Sequence, residues 1–265
     1  MSEYFISLYQ YRFFSSSKWN GFFNWTMTFR QDSEFYTPYG KIRQTSELPT
    51  NLDEHITNFG EENKEAEYLK DKNMTIAWFV SNCDTPSHRT DYVKVLKKHI
   101  QVDIYGKCGH LKCSRSQENE CWNKVDKHYH FYLAFENSIC KDYVTEKFFN
   151  AMNHNVVPIV LGGANYQDLA PKNSYIDAYN DYKNPVLLAK YLKDLIDDKA
   201  AYAQYFWWKP YYSVGETDPK SIAKYQCKVC EQLNSDRFGI TIYEDLTDWW
   251  IRKSRCKQYH LPRGD

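Results

Sequence analysis

The feature that most constrains the fold is the stretch from His130 to Gly163, HFYLAFENSICKDYVTEKFFNAMNHNVVPIVLGG. It begins with HFYLAF and ends with VVPIVL, two short apolar runs typical of strands that are covered on both faces of a parallel sheet. Between these runs, apolar residues recur at helical spacing, namely Val144, Phe148, Ala151 and Met152. The stretch therefore predicts a strand, helix, strand unit and an α/β fold.

Polar side chains cluster where the first of these strands ends and the helix begins. In parallel sheets, ligands bind at the carboxyl ends of the strands, beside the start of the next helix. Here that edge carries Glu136, Asn137, Ser138, Tyr143, Thr145, Glu146 and Lys147. Lys147 is predicted in the first helical turn, where the macrodipole disfavours a cation by about 0.3 to 1 kcal/mol. A bound phosphate would offset that cost; the alternative is that Lys147 pairs with a nearby carboxylate in solvent.

The residues FYLAFENSICKDYVTEKFFNAM, followed by VVPIVLGG, resemble the donor-binding motif of the α1,3-fucosyltransferases of glycosyltransferase family 10. The similarity extends from about Asn24 to near Cys230 and includes NWTMTFRQDS, PYG, WFVSNC, VDIYG and YFWWK. The spacing of Cys108, Cys113 and Cys121 is closer to the core-type glycoprotein enzymes of invertebrates than to the Lewis-type enzymes of vertebrates. A motif of this length is far more specific than a short glycine-rich loop.

The resemblance implies a GT-B fold, with two facing Rossmann-like domains of which the amino-terminal one is mostly missing. Residues 1–73 are then a remnant of the acceptor-binding domain plus a linker, GEENKEAEYLKDKN. Residues 74–235 form the GDP-fucose-binding domain, and residues 236–265 a C-terminal helix and tail. TIAWFVS, the helical pattern DYVKVLKKHI and VDIYG fit the start of a Rossmann-like domain. Because no GxGxxG follows TIAWFVS, a dinucleotide-dependent dehydrogenase is disfavoured.

The resemblance also implies a donor site, carried over onto Arg89, Glu136, Asn137, Tyr143, Glu146 and Lys147. Arg89 matches an arginine that contacts the donor pyrophosphate, with a solvated surface arginine as the alternative. Glu146 matches the position that binds the ribose hydroxyls. Because cationic side chains substitute for a metal, no cofactor is expected to be obligatory, and stimulation by Mn²⁺ is left open.

The match breaks at the catalytic base. In the family this base is a glutamate in a segment resembling Glu-Ser-Pro, and a base is needed to take the proton from the acceptor hydroxyl. At the matching place this sequence has Leu8, Tyr9 and Gln10, and Glu3 is the only acidic residue upstream. Glu3 is therefore the candidate base, and we expect the chain to bind the donor but to transfer fucose poorly.

The composition indicates which classes of partner the chain binds and in which cellular compartment it folds. The formal net charge is zero, which argues against a nucleic-acid partner. The eight cysteines suit a disulfide framework of unknown pairing, although zinc held by the CGHLKC and CKVC segments is an alternative. Two sequons, at Asn24 and Asn73, agree with glycosylation in a lumenal compartment.

The same sequence offers no route into a membrane. It has no run of 18 apolar residues and its start does not resemble a secretory signal. Family members are mostly type II proteins of Golgi cisterna membranes with an amino-terminal anchor and a lumenal catalytic part. The chain is therefore interpreted as a fragment, a splice variant or an atypical member that would reach the membrane only through an anchor it lacks.

The leading functional hypothesis follows from the resemblance. It is an inverting α1,3-fucosyltransferase that moves L-fucose from GDP-fucose to O3 of N-acetylglucosamine in glycoprotein N-glycans. Two alternatives stay open: a Lewis-type enzyme acting on lactosamine, and a weak or inactive paralogue that keeps only the nucleotide-sugar site.

Overall fold

The computed structural model describes residues 19–216, 219–235 and 242–262 and has a mixed α/β architecture. The strands are Met27–Thr28 (β1), Phe35–Tyr36 (β2), Gly40–Gln44 (β3), Met74–Phe79 (β4), Val102–Tyr105 (β5), Tyr129–Phe135 (β6), Val157–Leu161 (β7), Ile176–Asp177 (β8) and Tyr212–Glu216 (β9). The helices are Leu52–Asn63 (α1), Glu67–Lys70 (α2), Arg89–Leu96 (α3), Glu118–His128 (α4), Glu146–Asn153 (α5), Pro185–Asp197 (α6), Lys199–Ala203 (α7) and Pro219–Leu233 (α8). A π-helix covers Asp248–Arg252.

The centre of the molecule is a five-stranded parallel sheet in the order β5-β4-β6-β7-β8. The chain moves outward from β4 to β5 and then returns to place β6 on the other side of β4, so the strand order reverses between β4 and β6. In open α/β sheets, ligands bind outside the carboxyl ends of the strands at such a point. The predicted α/β fold and the Rossmann-like sheet are confirmed.

Strand β6 is buried on both faces, as its nearly continuous apolar sequence predicts. Phe131, Leu133 and Phe135 belong to the core layer that also contains the apolar faces of α3 and α6. Tyr132 and Ala134 point the other way and pack with residues of α4 and α5. Because successive side chains of a strand alternate between faces, a strand between two helical layers needs apolar residues on both faces.

The predicted helix after β6 is confirmed with one difference. Phe148, Ala151 and Met152 are buried as its periodicity predicts, but α5 begins only at Glu146, so Val144 lies before the helix and is buried in the preceding loop. The stretch NPVLLAKYLKDLIDDKAAYAQYFWWK predicts a long helix broken near Asp198, and this break is also present. Asp198 ends α6 and caps α7, where its side chain accepts a hydrogen bond from the Ala201 N–H at 2.9 Å.

The amino-terminal part differs from the sequence-based expectation. FFNWTMTFR alternates in a way that predicts a longer strand, but it contributes only the two-residue strand β1. The stretch TPYGKIRQTSELPTNLDEH has a composition that predicts turns, but it contains β3, which pairs antiparallel with β9 from Gly40 opposite Glu216 to Gln44 opposite Tyr212. Because the partner strand lies far along the chain, no local pattern marks β3 as a strand.

The charged stretch expected to be a linker is largely helical. Helix α1 runs into it and ends at Asn63, and α2 follows. Gly60 brings α1 close to α7, since a Cβ atom on Gly60 would lie 2.5 Å from the Ala200 carbonyl oxygen. Glu61 and Glu62 face solvent, which accounts for the charge of the segment. The boundary at residue 73 stays a prediction.

The C-terminal residues 242–262 return to pack against residues 19–36. The guanidinium of Arg30 is buried, lies 4.1 Å from the ring centroid of Trp249 and donates hydrogen bonds to the Trp249 carbonyl and to Ser254 Oγ. The Asp32 carboxylate forms a salt bridge with this guanidinium, with Asp32 Oδ2 at 2.6 Å from Arg30 Nη2. Among the helices of the described ranges, none has both the length and the apolar character needed to cross a bilayer.

The close approach at Gly60 predicts that replacing this helical glycine by alanine lowers the stability of the protein, although the same change ordinarily stabilises a helix. Gly60→Ala would normally stabilise a helix by about 1 kcal/mol, but here the new methyl group meets a backbone carbonyl that cannot rotate away. We expect a net loss of about 1 to 3 kcal/mol in the free energy of unfolding, measured by urea denaturation. Exposed Glu62→Ala is the control and should change stability by less than about 0.5 kcal/mol. A more stable Gly60→Ala protein would contradict this packing.

Candidate functional site

A cleft of about 330 Å³ lies at the carboxyl ends of β4 and β6, where the strand order reverses. Its lining includes Arg89, Asn137, Glu146 and Lys147. The structure therefore brings together four residues that the resemblance assigned to the donor site, from α3, the loop after β6 and the start of α5. A larger cavity of about 420 Å³ at the opposite edge of the sheet is lined by none of these residues.

Arg89 is fixed in the wall of this cleft. It is only 2% exposed, and its Nη1 and Nη2 donate hydrogen bonds to the carbonyls of Phe135 at 2.6 Å and Asn82 at 3.0 Å. The guanidinium carbon also lies 5.6 Å from the Trp78 ring centroid. The alternative of a solvated surface arginine is therefore wrong, and Arg89 joins the ends of β4 and β6 in addition to facing the cleft.

Lys147 is held by three oxygen atoms. Its Nζ donates to Thr145 Oγ1 at 2.7 Å and to Glu146 Oε1 at 3.1 Å, and lies 3.5 Å from Glu136 Oε2. The lysine does pair with carboxylates, as one interpretation expected, but not in bulk solvent, since its side chain is only 14% exposed. The ammonium group is thus kept at the cleft by a local anionic cluster.

Glu136 is completely buried and does not line the cleft. Its Oε1 accepts hydrogen bonds from the Thr145 N–H at 2.8 Å and from Thr145 Oγ1 at 3.0 Å. Burial raises the pKa of Glu136, while the nearby Lys147 ammonium lowers it. Glu136 therefore lies behind the wall of the cleft, beneath the residues it was expected to join.

Asn137 lines the cleft with an incomplete set of hydrogen bonds. The residue is 7% exposed, and its backbone carbonyl accepts a bond from the Ser87 N–H at 3.0 Å. Its side-chain Oδ1 is buried and accepts no hydrogen bond within the described part of the protein. A buried acceptor without a donor costs about 1 to 3 kcal/mol, so this oxygen is suited to receive a donor group from a bound molecule.

Tyr143 lies away from the cleft lining. It is buried, and its ring packs edge-on against Phe29 with centroids 5.0 Å apart. It therefore connects the loop after β6 to the amino-terminal part of the described chain. Its role in donor binding, like those of the other candidate residues, stays a prediction.

The loop after β6 is fastened by the C-terminal segment. A disulfide joins Cys140 to Cys256, the Lys141 N–H donates to the Ser254 carbonyl at 2.8 Å, and the Lys257 N–H donates to the Ile139 carbonyl at 2.8 Å. No sequence motif connects these two segments. Their contact fixes the loop from which Asn137 reaches the cleft.

Two further disulfides join Cys83 to Cys108 and Cys113 to Cys121. The expected disulfide framework is therefore present. Because Cys108 and Cys113 are both oxidised, the zinc site considered for CGHLKC and CKVC is excluded. The CKVC cysteines, Cys227 and Cys230, are exposed and form no disulfide within the described ranges.

Several residues of the cleft wall were not among the predicted site residues. Trp122 and Glu118 line it from α4, and Asn150 lines it from α5. The Trp122 ring stacks on His154 with centroids 4.7 Å apart. A usable signal was their spacing, since Asn150 follows Glu146 by one helical turn and Trp122 follows Glu118 by one turn.

The remaining candidate residues lie elsewhere. Glu3, the candidate base, and the segment Leu8–Gln10 are outside the described residues. Asn24 and Asn73 of the two sequons are both exposed. Asn73 lies on the wall of the larger cavity, at the opposite edge of the sheet from the cleft.

Comparison with known proteins identifies the family. Residues 69–249, more than half of the chain, match the family described as "Glycosyltransferase family 10 (fucosyltransferase) C-term". The chain belongs to glycosyltransferase family 10. The matched residues include all five strands of the parallel sheet and every residue that lines the cleft of this family 10 chain.

Two relatives from Drosophila melanogaster show how far the similarity extends. Glycoprotein 3-alpha-L-fucosyltransferase A is 42% identical over 242 residues, which cover 88% of this chain and 44% of that protein. Alpha-(1,3)-fucosyltransferase C is 37% identical over 253 residues, which cover 89% of this chain and 56% of that protein. The chain thus spans about half the length of these relatives.

A solved structure of an alpha1,3-fucosyltransferase with GDP-fucose also matches. The TM-score is 0.49 and the sequence identity 22%, with 78% of this chain and 59% of that chain covered.

The disulfide between Cys140 and Cys256 should contribute strongly to the stability of this family 10 chain. It links residues 116 positions apart, whereas Cys113 and Cys121 are 8 apart. In the chain-entropy account, the longer loop gives about 5 kcal/mol and the shorter about 2.5 kcal/mol. We expect Cys140→Ser/Cys256→Ser to lose about 2 kcal/mol more unfolding free energy than Cys113→Ser/Cys121→Ser, measured by non-reducing urea denaturation. Equal losses would contradict this expectation.

Proposed function

We propose that this chain forms the donor-binding part of an inverting α1,3-fucosyltransferase, which transfers L-fucose from GDP-fucose to O3 of N-acetylglucosamine in glycoprotein N-glycans. The observation that carries the proposal is the cleft at the strand-order reversal. It unites Arg89, Asn137, Glu146 and Lys147 within the residues that match the family. The name of the Drosophila relative that is 42% identical supports a glycoprotein acceptor.

The charges of the cleft suit a nucleoside diphosphate as leaving group. When the bond between fucose and GDP breaks, negative charge grows on the β-phosphate. Arg89 and Lys147 are two cations already fixed by hydrogen bonds, so little reorganisation is needed to stabilise that charge. The amino terminus of α5, directly beside Lys147, adds a favourable dipole.

The uncharged parts of the donor have matching partners. Glu146, with a side chain 39% exposed, is the first residue of α5 and presents a carboxylate that accepts hydrogen bonds from neighbouring hydroxyls, as a ribose offers. The buried Oδ1 of Asn137 accepts one further hydrogen bond from a hydroxyl. Both side chains therefore complement the sugar parts of GDP-fucose.

The proposal extends to the conditions in which the protein works. Two cationic side chains beside the phosphates supply the charge that a metal would otherwise supply, so no obligatory metal is invoked. Three disulfides support folding in an oxidising compartment, which agrees with the lumenal side of the Golgi. Deprotonation of the acceptor hydroxyl is assigned to a carboxylate of the amino-terminal region, with Glu3 as the candidate.

Donor binding is tested first, by isothermal titration calorimetry. We expect GDP and GDP-fucose to bind, and UDP-sugars and NAD not to bind. Lys147→Ala should weaken GDP binding by about 1 to 3 kcal/mol, the scale of a charge-assisted hydrogen bond. Arg89→Ala should weaken it similarly and also lower the unfolding temperature, because the buried Phe135 carbonyl and the partly buried Asn82 carbonyl each lose a donor.

Lys94→Ala is the matched control, since Lys94 is an exposed helical lysine that also pairs with a carboxylate, Asp91 at 2.9 Å. It should leave GDP affinity unchanged. Saturable NAD binding without GDP binding would refute the proposed function, and an unchanged GDP affinity in Lys147→Ala would remove Lys147 from the site.

Transfer is tested with labelled GDP-fucose and two acceptors, an N-glycan core and lactosamine. We expect any product to form on the N-glycan core, and the rate to rise when the chain is extended upstream with its genomic sequence. A missing general base lowers rates by about 10² to 10⁴-fold. Product on lactosamine alone would favour the Lewis-type alternative, and donor binding without transfer by the extended chain would favour an inactive paralogue.

A further inference from the structure

Glu136 is distinguished from the other candidate donor residues by its complete burial. We propose that it is a positioning residue, which fixes the Lys147 ammonium at the cleft through the hydroxyl of Thr145 and does not itself touch the ligand. This replaces the expectation that Glu136 contacts the donor. The inference rests on the proposed function only in taking the ligand to be a phosphate-containing molecule.

The direction of each hydrogen bond between these three residues follows from their chemistry. An ammonium group can only donate, so Thr145 Oγ1 accepts from Lys147 Nζ at 2.7 Å. The hydroxyl has one hydrogen, and it is directed to Glu136, whose oxygens lie 2.9 and 3.0 Å away. The order Lys147 to Thr145 to Glu136 is therefore the only one that satisfies all three groups.

The carboxylate is tied to the backbone as well. Glu136 Oε1 also accepts from the Thr145 N–H at 2.8 Å. Thr145 is the residue that precedes α5, a position where a threonine hydroxyl ordinarily accepts from an N–H of the helix, but here its side chain caps none. Glu136 thus fixes the position of both the backbone N–H and the hydroxyl of Thr145, the residue that accepts a hydrogen bond from Lys147.

The two carboxylates near Lys147 are not equivalent. Glu146 lines the cleft and is partly exposed, so water screens its pull on the ammonium group. Glu136 is fully buried and lies 3.5 Å from Nζ, so solvent screens its charge much less. The buried carboxylate is consequently the one that gives Lys147 a fixed position.

Glu136→Gln removes the charge at almost unchanged volume. The amide has one acceptor oxygen instead of two and adds a donor, which conflicts with the Thr145 hydroxyl and the Lys147 ammonium. Lys147 would then lose the attraction of the buried carboxylate, and with it its fixed position. A phosphate ligand should therefore bind more weakly although the variant keeps every cleft-lining side chain.

The experiment is a double-mutant cycle read by calorimetry, with inorganic pyrophosphate and GDP as separate probes. The proteins are wild type, Glu136→Gln, Lys147→Ala and the double variant. We expect Glu136→Gln to weaken pyrophosphate and GDP binding about 5- to 30-fold, and to have less than about a 2-fold further effect in the Lys147→Ala background, because its action passes through Lys147.

Glu34→Gln is the matched control. Glu34 accepts hydrogen bonds from the N–H and Oγ1 of Thr26, the same pattern as Glu136 with Thr145, but its third partner is Tyr243 and it lies outside the cleft lining. This variant should bind both probes like wild type. Thr145→Val should reproduce the loss seen in Glu136→Gln, and Thr145→Ser, which keeps the hydroxyl, should restore binding.

Several results would overturn the inference: unchanged affinity in Glu136→Gln, an equal loss in the Lys147→Ala background, or an equal loss in Glu34→Gln. If Glu136→Gln does not fold, the Thr145→Val and Thr145→Ser pair decides in the same way. Pyrophosphate binding without GDP binding would refute the proposed function while the cycle still decides the role of Glu136. Binding of neither probe by wild type would refute both.

Discussion

The burial of β6 on both faces is the constraint on which the rest of the structure depends. A strand covered by helices on two sides has little room for charged or amide side chains, and none occurs from Phe131 to Phe135, so the Glu136 carboxylate and the Asn137 amide appear together at its carboxyl end. The reversal of strand order beside β6 opens a crevice at the same point. The position of the cleft is thus a consequence of how the core is covered.

Polar groups at that point are costly to bury, and the cleft is organised by the way they are satisfied. Arg89 donates hydrogen bonds to carbonyls that follow two neighbouring strands. Glu136 accepts a hydrogen bond from Thr145 and forms an ion pair with Lys147. Each residue that stabilises this edge also fixes a group that faces the cleft. The Asn137 Oδ1 is different, because it accepts no hydrogen bond within the described chain. The hydrogen bonds that stabilise this edge therefore also position the side chains that line the cleft.

The edge also depends on segments that are remote in sequence. The loop after β6 is held by Cys256 and its neighbours, and those residues are in turn packed on Arg30 near the start of the described chain. Loops at the carboxyl ends of strands are ordinarily the mobile part of an α/β protein. Here a covalent bond and a buried arginine bring the two ends of the described chain together beneath the loop that carries Asn137.

The sequence by itself determined the central strand, helix, strand unit, the helix break at Asp198 and the family motif, because each rests on a local periodicity or a contiguous run of residues. Only the tertiary structure decided that Glu136 turns inward while Asn137 faces the cleft, which cysteines pair, and that β3 pairs with β9. Those outcomes depend on contacts between segments far apart in the chain. Such contacts are set by the closure and packing of the whole fold and leave no local signal in the sequence.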